Sequence, residues 1–377
     1  MVKSKMRIFY AAGNQPHGSL TNSRIWFYNL LLPLMDLGYE IVVFDYDLEP
    51  HYRCADLTIP KNQSTNELIR PRLEEELLRQ IQIAHKLKPI DLFFSYFYSS
   101  FVDPQLISEI HSLGISTVNW YCNASYQFHL IKELAPFYDY CLVPEKFRID
   151  DYRNIGAKPI YCQEAANPNV YKPYNLPKQF DVTFIGAQYG DRSKFIRYLL
   201  DKRIDVNVWG PGWTSLCVPR LGKQSIILKL KRAKLILQGK GNTLKPILPV
   251  SKCNDPLDDD EMIKMYSRSK ISLGFSKVGN PDQTSNPIKQ VRLRDFEAPM
   301  CGAFYLVEYF HELEEFFKPE REIVFFYDEN DLLAKVKFYL THETEREEIR
   351  KAGFEKAVNE HSWQKRFQTA FKQMGFV

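Results

Sequence analysis

The chain has 377 residues, of which 45% are hydrophobic and 25% charged, and its formal net charge is +4. This composition is typical of a folded globular protein and excludes a disordered chain, and so small a net charge does not predict a polyelectrolyte partner for the whole protein. The length exceeds what one hydrophobic core usually organises, so we expect two domains.

The cysteines and the chain start predict the compartment. Seven cysteines occur, an odd number, and none is spaced as CxxC, which predicts reduced thiols and neither a zinc site nor a disulfide framework. No apolar run reaches the length of a membrane span, and the first residues lead into a strand without a secretory signal. We therefore expect a cytoplasmic protein, either free or peripheral to a membrane.

Strands and helices alternate along the first half of the chain. Residues 6–12 and 40–46 are predicted strands on either side of an amphipathic helix at 24–37, a pattern typical of a parallel sheet. The alternation continues with helices at 68–87 and 104–113 and strands at 91–95, 116–121 and 138–143. A segment rich in Pro and Asn, AANPNVYKPYNLPK, then predicts a linker at 166–178.

The second half repeats the alternation. Strands are predicted at 181–185, 206–209, 271–275, 303–307 and 322–327, with helices at 193–200, at 258–267, after an Asn286 cap, and from 343 to 371. We expect an α/β protein with two Rossmann-like doubly wound domains facing an interdomain cleft. The predicted bounds are 1–165 for the N-terminal domain, 179–358 for the C-terminal domain and 359–377 for a last helix that packs back on the N-terminal domain.

Three glycine loops follow predicted strands, where ligands of such sheets bind. The loop AAGNQPHGSL, with Gly13, Asn14 and Gly18, lacks the lysine of a phosphate loop, and we interpret it as part of the lining of the interdomain cleft. In GAQYGDRSK, Gly186, Tyr189, Gly190 and Arg192 either bind an anionic group or form a simple turn capped by Asp191. In WGPGW, Gly210 and Trp213 either face a flat ring, as Trp209 could, or pack in the interior.

Glu297 is a carboxylate among apolar residues in LRDFEAPMCGAF, and a buried carboxylate is costly without a partner. Arg294 lies three residues before it and could neutralise it on one helix face. Alternatively, the arginines bind a diphosphate and the carboxylate accepts both hydroxyls of a vicinal diol.

The blocks RDFEAPMCGAFYLVEYFHELEEFF and REIVFFYDENDLLAKVKFYL, with EAANPNVYKPY, DVTFIGAQYGDR and WGPGW, resemble group 1 glycosyltransferases of the GT-B fold, in particular the spore-maturation CgeB-like branch. The resemblance covers roughly residues 160 to 370. It implies that the C-terminal domain binds a nucleotide-sugar donor and that Glu297 binds the donor ribose. The N-terminal domain is then the acceptor-side domain, with Gly13, Asn14 and Gly18 as its candidate residues. Retaining relatives often carry a second Glu eight residues earlier, where this chain has Lys289.

A lysine in place of this glutamate suggests that residue 289 has a different role in this chain. Lys289, Arg292 and Arg294 are candidates for binding the diphosphate of the donor, as in a metal-independent transferase whose cations stabilise the leaving group. If the reaction inverts configuration, it needs a base, and His17 is the first candidate and His129 the second. No metal site and no cofactor besides the donor are expected.

A basic segment, 220–252, indicates a possible partner. Between residues 206 and 254 the chain has nine Lys or Arg and no Asp or Glu. Such a segment suits an anionic membrane surface or DNA, whereas a buried helix with its lysine heads in water is the alternative. We interpret the protein as a hexosyl- or pentosyltransferase with a glycan, lipid-linked or nucleic-acid-linked hydroxyl acceptor. A nucleotide-sugar epimerase and a non-catalytic sugar-nucleotide or glycan-binding protein are the alternatives.

Overall fold

The computed structural model describes residues 6–13, 24–217, 234, 237–238, 245–279 and 286–376. The chain divides into two compact units. Unit 1 comprises residues 1–170 and 360–377, and unit 2 comprises residues 171–359. Each unit contains its own parallel sheet of six strands.

Unit 1 is built around a sheet in the order β2-β1-β3-β4-β5-β6. Its strands are β1 (Arg7–Ala11), β2 (Glu40–Val43), β3 (Leu92–Ser95), β4 (Ser116–Trp120), β5 (Tyr140–Val143) and β6 (Pro159–Tyr161). Its helices are α1 (Leu32–Asp36), which continues a π-helical turn at Phe27–Leu31, α2 (Glu49–Arg53), α3 (Pro60–Leu87), α4 (Pro104–Ser112), α5 (Ala124–Gln127) and α6 (Ile149–Asn154). The inner strands β1, β3, β4 and β5 are almost fully buried because helices cover both faces of such a sheet, whereas the edge strands β2 and β6 are partly exposed.

The last helix of the chain belongs to unit 1. It spans Trp363–Gln373, and Trp363, Phe367 and Phe371 on its apolar face are fully buried in the core of that unit. Ser362 caps the helix by accepting a hydrogen bond from the backbone N–H of Lys365. A helix far along the sequence therefore completes the first core.

Unit 2 repeats this architecture in the order β12-β11-β10-β7-β8-β9. Its strands are β7 (Phe180–Ile185), β8 (Val206–Trp209), β9 (Cys253–Asn254), β10 (Ser269–Gly274), β11 (Tyr305–Glu308) and β12 (Val324–Phe326). Its helices are α7 (Arg192–Asp201), α8 (Asp259–Arg268), α9 (Arg294–Met300), α10 (Glu329–Thr341) and α11 (Glu343–Glu360), so the helix of unit 1 at Trp363–Gln373 is α12. The two sheets confirm the predicted α/β class with two Rossmann-like domains.

Two helices differ from their predicted bounds. The predicted helix after an Asn286 cap is wrong, because residues 288–290 are extended and pair with residues 276–278, so α9 starts only at Arg294. Helix α3 begins at Pro60, eight residues before its predicted start at Leu68, since proline suits the first helical position and the polar residues that follow show no apolar periodicity. The strands β6 and β9 were not predicted, being only three and two residues long.

The prediction that every cysteine is reduced is also wrong. Cys217 and Cys253 form a disulfide that joins the loop after β8 to strand β9. The other five cysteines are free and buried. Within the described part of the chain, no helix is long and apolar enough to cross a membrane.

Candidate functional site

The carboxyl ends of β7 and β10 form the point in unit 2 where the strand order reverses. Strand β8 lies on one side of β7 and β10 on the other, and ligands of doubly wound sheets bind at this place. Gly186 and Gly210 follow β7 and β8 with φ angles of 159° and 143°. A Cβ on Gly210 would lie 2.3 Å from the carbonyl oxygen of Gly186, so only glycine allows these two loops to pass backbone against backbone.

Trp213 packs in the interior. Its side chain is fully buried, its indole N–H donates to the Gly186 carbonyl at 2.7 Å, and its ring contacts Phe184. The prediction that Trp213 faces a ligand is therefore wrong, and the interior alternative holds. Trp209 is also buried, with its ring against Phe180.

Arg192, the first residue of α7, is a buried cation. Only 4% of its surface is exposed, and its guanidinium donates to the carbonyl of Ala187 at 2.7 Å and to Tyr189 Oη at 2.5 Å. Burial lowers its pKa to about 10, and nearby Arg292 adds to the lowering while Tyr189 opposes it. Among the described residues no carboxylate pairs with Arg192, and a buried unpaired charge is costly. The position therefore favours an anionic ligand at the start of a helix, where backbone N–H groups also point.

Arg292 lies near Arg192 and is held in place by Asp295. Its Nη2 donates to Asp295 Oδ1 at 2.9 Å, and its backbone N–H donates to the second oxygen of the same carboxylate at 2.9 Å. Asp295 is completely buried and also accepts a hydrogen bond of 2.6 Å from Tyr305 Oη. Burial lowers the pKa of Arg292, but Asp295, Tyr305 and Tyr189 together outweigh burial and the pKa is raised. Arg292 is thus a fixed cation held by the Asp295 carboxylate, which also accepts a hydrogen bond from Tyr305.

Buried polar atoms without a protein partner concentrate around these two arginines. In the described part of unit 2, all but one of the buried side-chain N and O atoms that lack a hydrogen-bond partner belong to this neighbourhood. They are Gln188 Nε2, Arg192 Nε, Ser193 Oγ, Ser276 Oγ, Gln290 Oε1 and Arg292 Nε. Buried polar groups are normally paired, so the set indicates a polar ligand. Donors outnumber fixed acceptors in the set, which favours a ligand rich in acceptor oxygens.

Lys289 lies beside a second lysine. Its ammonium is 3.1 Å from Glu308 Oε1 at the end of β11 and donates to the carbonyl of Tyr309 at 2.9 Å. Lys277 approaches the same Glu308 oxygen at 3.4 Å and also pairs with Asp191 beside Arg192. This pairing connects the loop after β10 with the loop after β7.

Arg294 and Glu297 lie on a different face of α9. Arg294 donates to Tyr266 Oη at 2.8 Å, also contacts Met262, and is 3.6 Å from the Glu297 carboxylate. Glu297 is 2% exposed. Arg294 therefore contacts α8 and pairs with Glu297, as the first of the two interpretations expected, and its contacts do not include Arg192 or Lys289.

The acceptor-side candidates of unit 1 are described only in part. Gly13 donates its backbone N–H to Tyr52 Oη at 3.2 Å. His129 is exposed, and its Nε2 lies 3.9 Å from Asp56 Oδ2. The candidates Asn14, His17 and Gly18 lie outside the described residues, as does most of the basic segment 220–252. No group of three or more His, Cys, Asp or Glu side chains that could hold a metal occurs in the described ranges.

Sequence reasoning missed several residues of this neighbourhood. Gln188 and Ser193 lie within the loop and helix start that were singled out, but neither residue type has a distinctive pattern. Ser276, Lys277 and Gln290 come together only through the pairing of two extended segments, and Glu308 ends a buried strand. A carboxylate that ends an apolar strand is the one signal in the sequence that could have been used.

The carboxyl-terminal half of the chain can be compared with a protein family. Residues 192–372 match the family described as glycosyl transferase-like. The match begins at Arg192 and includes α7, the loop after β10, α9 and β11, whereas the loop after β7, with Gln188 and Tyr189, precedes it. No curated protein matches the chain.

Solved structures similar to the whole chain share its fold. Sucrose-phosphate synthase from Thermosynechococcus elongatus is 14% identical with a TM-score of 0.56, and the match covers 98% of this chain and 99% of that one. An α-glucosyltransferase in complex with UDP and a 13-mer DNA is 14% identical with a TM-score of 0.56, covering 98% and 99%. Anabaena HepE in complex with UDP is 10% identical with a TM-score of 0.55, covering 99% and 100%. The fold is therefore that of GT-B glycosyltransferases.

Proposed function

We propose that the protein is a metal-independent glycosyltransferase that moves a sugar from a nucleotide-diphosphate sugar to a hydroxyl acceptor. The observation that carries this proposal is Arg192, a buried cation with no carboxylate partner among the described residues, surrounded by buried polar atoms that lack partners. A diphosphate supplies the negative charge and the acceptor oxygens that this neighbourhood lacks. The glycosyl transferase-like match, which begins at Arg192 and includes Ser276, Gln290 and Arg292, supports the choice, and membership of the CgeB-like branch is part of the proposal.

The donor occupies the carboxyl edge of the unit 2 sheet. Arg192 and Arg292 bind the diphosphate, helped by Lys289 and by backbone near Gly186, Gly190 and Gly210, with Tyr189 stacked on Arg192. Glu297 binds the ribose, since one carboxylate accepts two hydroxyl hydrogens. Two of the similar solved structures contain UDP, which makes UDP-sugars the first donors to test.

The chemistry consists of one bond exchange. The bond between the anomeric carbon and the β-phosphate oxygen breaks, a bond to the acceptor oxygen forms, and the hydroxyl proton passes to a base or to a departing phosphate oxygen. Negative charge grows on the phosphate oxygens as the nucleoside diphosphate departs, and fixed cations stabilise it. His17 is the proposed base of an inverting reaction, with His129 second. The acceptor class includes lipid-linked and DNA-linked hydroxyls, which the basic segment 220–252 would attract.

A panel of nucleotide sugars tests this function. The protein is incubated with UDP-, ADP-, GDP- and dTDP-sugars, and free nucleoside diphosphate and the sugar product are both measured. We expect slow release of one nucleoside diphosphate in water and faster release with added hydroxyl acceptors. An isomerised nucleotide sugar would indicate an epimerase, and binding without turnover would indicate a non-catalytic binding protein. Arg192→Ala should slow release by about 10- to 100-fold, whereas Arg321→Ala, at an exposed arginine of the same unit, should leave release unchanged.

A further inference from the structure

Two lysines are placed side by side beyond strand β10. Residues 276–278 pair in antiparallel fashion with residues 288–290, with hydrogen bonds from Val278 N to Ile288 O (2.9 Å) and from Gln290 N to Ser276 O (3.2 Å). Lys277 and Lys289 are directly opposite each other in this pairing. Opposite residues of an antiparallel pair project to the same face, and like charges there destabilise the pairing. The arrangement therefore needs a compensating group.

Glu308 is that group. It is the last residue of β11, only 3% exposed, and its Oε1 lies 3.4 Å from Lys277 Nζ and 3.1 Å from Lys289 Nζ. Its Oε2 accepts a hydrogen bond of 3.2 Å from the backbone N–H of Ser276. One buried carboxylate thus bridges two ammonium groups and is itself fixed by the backbone.

Each ammonium retains one donor after its described contacts. An ammonium has three N–H donors. The Lys277 ammonium contacts Glu308 and Asp191, and the Lys289 ammonium contacts Glu308 and the carbonyl of Tyr309. Within the described residues, each lysine therefore uses two of its three N–H donors. Two neighbouring cations with one remaining donor each match two oxygens of a phosphate group.

We propose that Glu308 is a positioning residue that holds Lys277 and Lys289 side by side as a binding site for one phosphate group of the donor. This inference rests on the proposed function, because the phosphate is that of the nucleotide sugar. Asp191 joins Lys277 to the start of α7, so the lysine pair lies next to Arg192 at the same edge of the sheet. The site thus includes Lys277 and Glu308, which the sequence did not single out.

Substitution of Glu308 by glutamine separates positioning from charge. If Glu308 contributed only negative charge, its removal would strengthen binding of an anion. If it positions the lysines, its loss leaves two cations that repel each other, and phosphate binding weakens even though a negative charge has been removed. The test is titration calorimetry of UDP and uridine, with ADP, GDP and their nucleosides alongside, against the full-length protein.

We expect Lys277→Met, Lys289→Met and Glu308→Gln each to weaken nucleoside diphosphate binding about tenfold and to leave nucleoside binding unchanged. Glu308→Asp keeps the charge but shortens the side chain, and it should weaken diphosphate binding less than Glu308→Gln does. Lys337→Met, at an exposed lysine of α10, is the matched control and should bind as the parent does. Equal or tighter diphosphate binding by Glu308→Gln would overturn the positioning role.

The controls keep the two proposals distinguishable. Thermal melting of every variant shows whether it is folded. If Glu308→Gln does not fold, the two lysine variants decide, because normal diphosphate affinity in both would overturn the phosphate site. If the parent protein binds no nucleoside diphosphate, the proposed function fails and this inference fails with it. If the parent and Arg192→Ala differ but the lysine variants bind as the parent does, this inference and the role of Lys289 fail, while the proposed glycosyl transfer stands.

Discussion

Arg192, the first residue of α7, stacks on Tyr189 in the preceding loop: the guanidinium carbon lies 3.6 Å from the centre of the Tyr189 ring, and the guanidinium donates to the phenol oxygen at 2.5 Å. A cation held over an aromatic face keeps its orientation without a carboxylate to neutralise it. The arginine therefore remains available to an anion, and this relationship makes the loop after β7 the centre of the proposed donor site.

The first prediction concerns this stacked pair. Arg192→Ala should lower the turnover of the donor by about 10- to 100-fold, because charge-assisted hydrogen bonds to a phosphate contribute roughly 1.5–3 kcal/mol. Tyr189→Phe keeps the aromatic ring and should lower the turnover much less. Steady-state release of nucleoside diphosphate measures both, with Arg321→Ala as control. Normal kinetics in Arg192→Ala would return the loop to the interpretation of a simple turn.

The second prediction concerns Glu297. Glu297→Gln should weaken binding of a nucleoside and of its diphosphate by the same factor, about tenfold, because the ribose is common to both ligands. The variants of the lysine pair, in contrast, should affect only the diphosphate. Calorimetric titration of the two ligands distinguishes these roles. Glu355→Gln, at an exposed glutamate of α11, is the control. Unchanged affinity for both ligands in Glu297→Gln would refute the ribose role.

The structure explains which parts of the site were predictable from the sequence. Arg192 follows a glycine-containing loop after an apolar strand, and the strand-loop-helix pattern at 180–201 carries enough local information to place it. The segment at 286–293 does not carry enough local information. Asn286-Pro287 has the chemistry of a helix start, but the backbone there pairs with residues 276–278. Tertiary pairing overrode a local signal.

Contacts between distant segments account for the other differences. Glu308 and Lys289 are on separate segments, and nothing local predicts that one carboxylate bridges two lysines. Trp213 has the appearance of an exposed loop tryptophan beside glycines, yet the Gly186 carbonyl gives its indole N–H a buried partner. In both cases the partner lies in another segment at the same edge of the sheet.

The third prediction is a pH dependence of stability that arises in unit 1. Burial raises the pKa of Glu145 from 4.5 to about 7, opposed by hydrogen bonds from the backbone of Ser125, Glu145 and Ala124. The folded state therefore prefers the protonated carboxyl. The stability this contributes is complete below pH 4.5 and is lost as the pH rises towards 7.

Glu145→Gln should remove this dependence. Between pH 5 and pH 8 the free energy of unfolding of the parent should fall relative to that of Glu145→Gln, by on the order of 3 kcal/mol. Urea denaturation at the two pH values measures the difference, and Glu133→Gln, at an exposed glutamate of unit 1, should behave as the parent does. Parallel pH profiles for the parent and Glu145→Gln would contradict the buried, protonated state.

The fourth prediction tests the disulfide between Cys217 and Cys253. Protein purified without reductant should show five titratable thiols after denaturation, and reduced protein should show all seven. Because the bond closes a loop of 36 residues, reduction should lower stability by roughly 3–4 kcal/mol. Thiol titration under denaturing conditions and melting with and without reductant provide the two readouts. Seven thiols in the unreduced protein would restore the expectation from the sequence.

The central claim is that a nucleotide-diphosphate sugar binds at the carboxyl edge of the unit 2 sheet. A crystal structure of the full-length protein with the nucleoside diphosphate selected by the donor panel tests it most directly. The account predicts phosphate oxygens within hydrogen-bond distance of Arg192 Nε and Arg292 Nε. A diphosphate bound elsewhere, with both of these atoms still lacking a ligand partner, would contradict it.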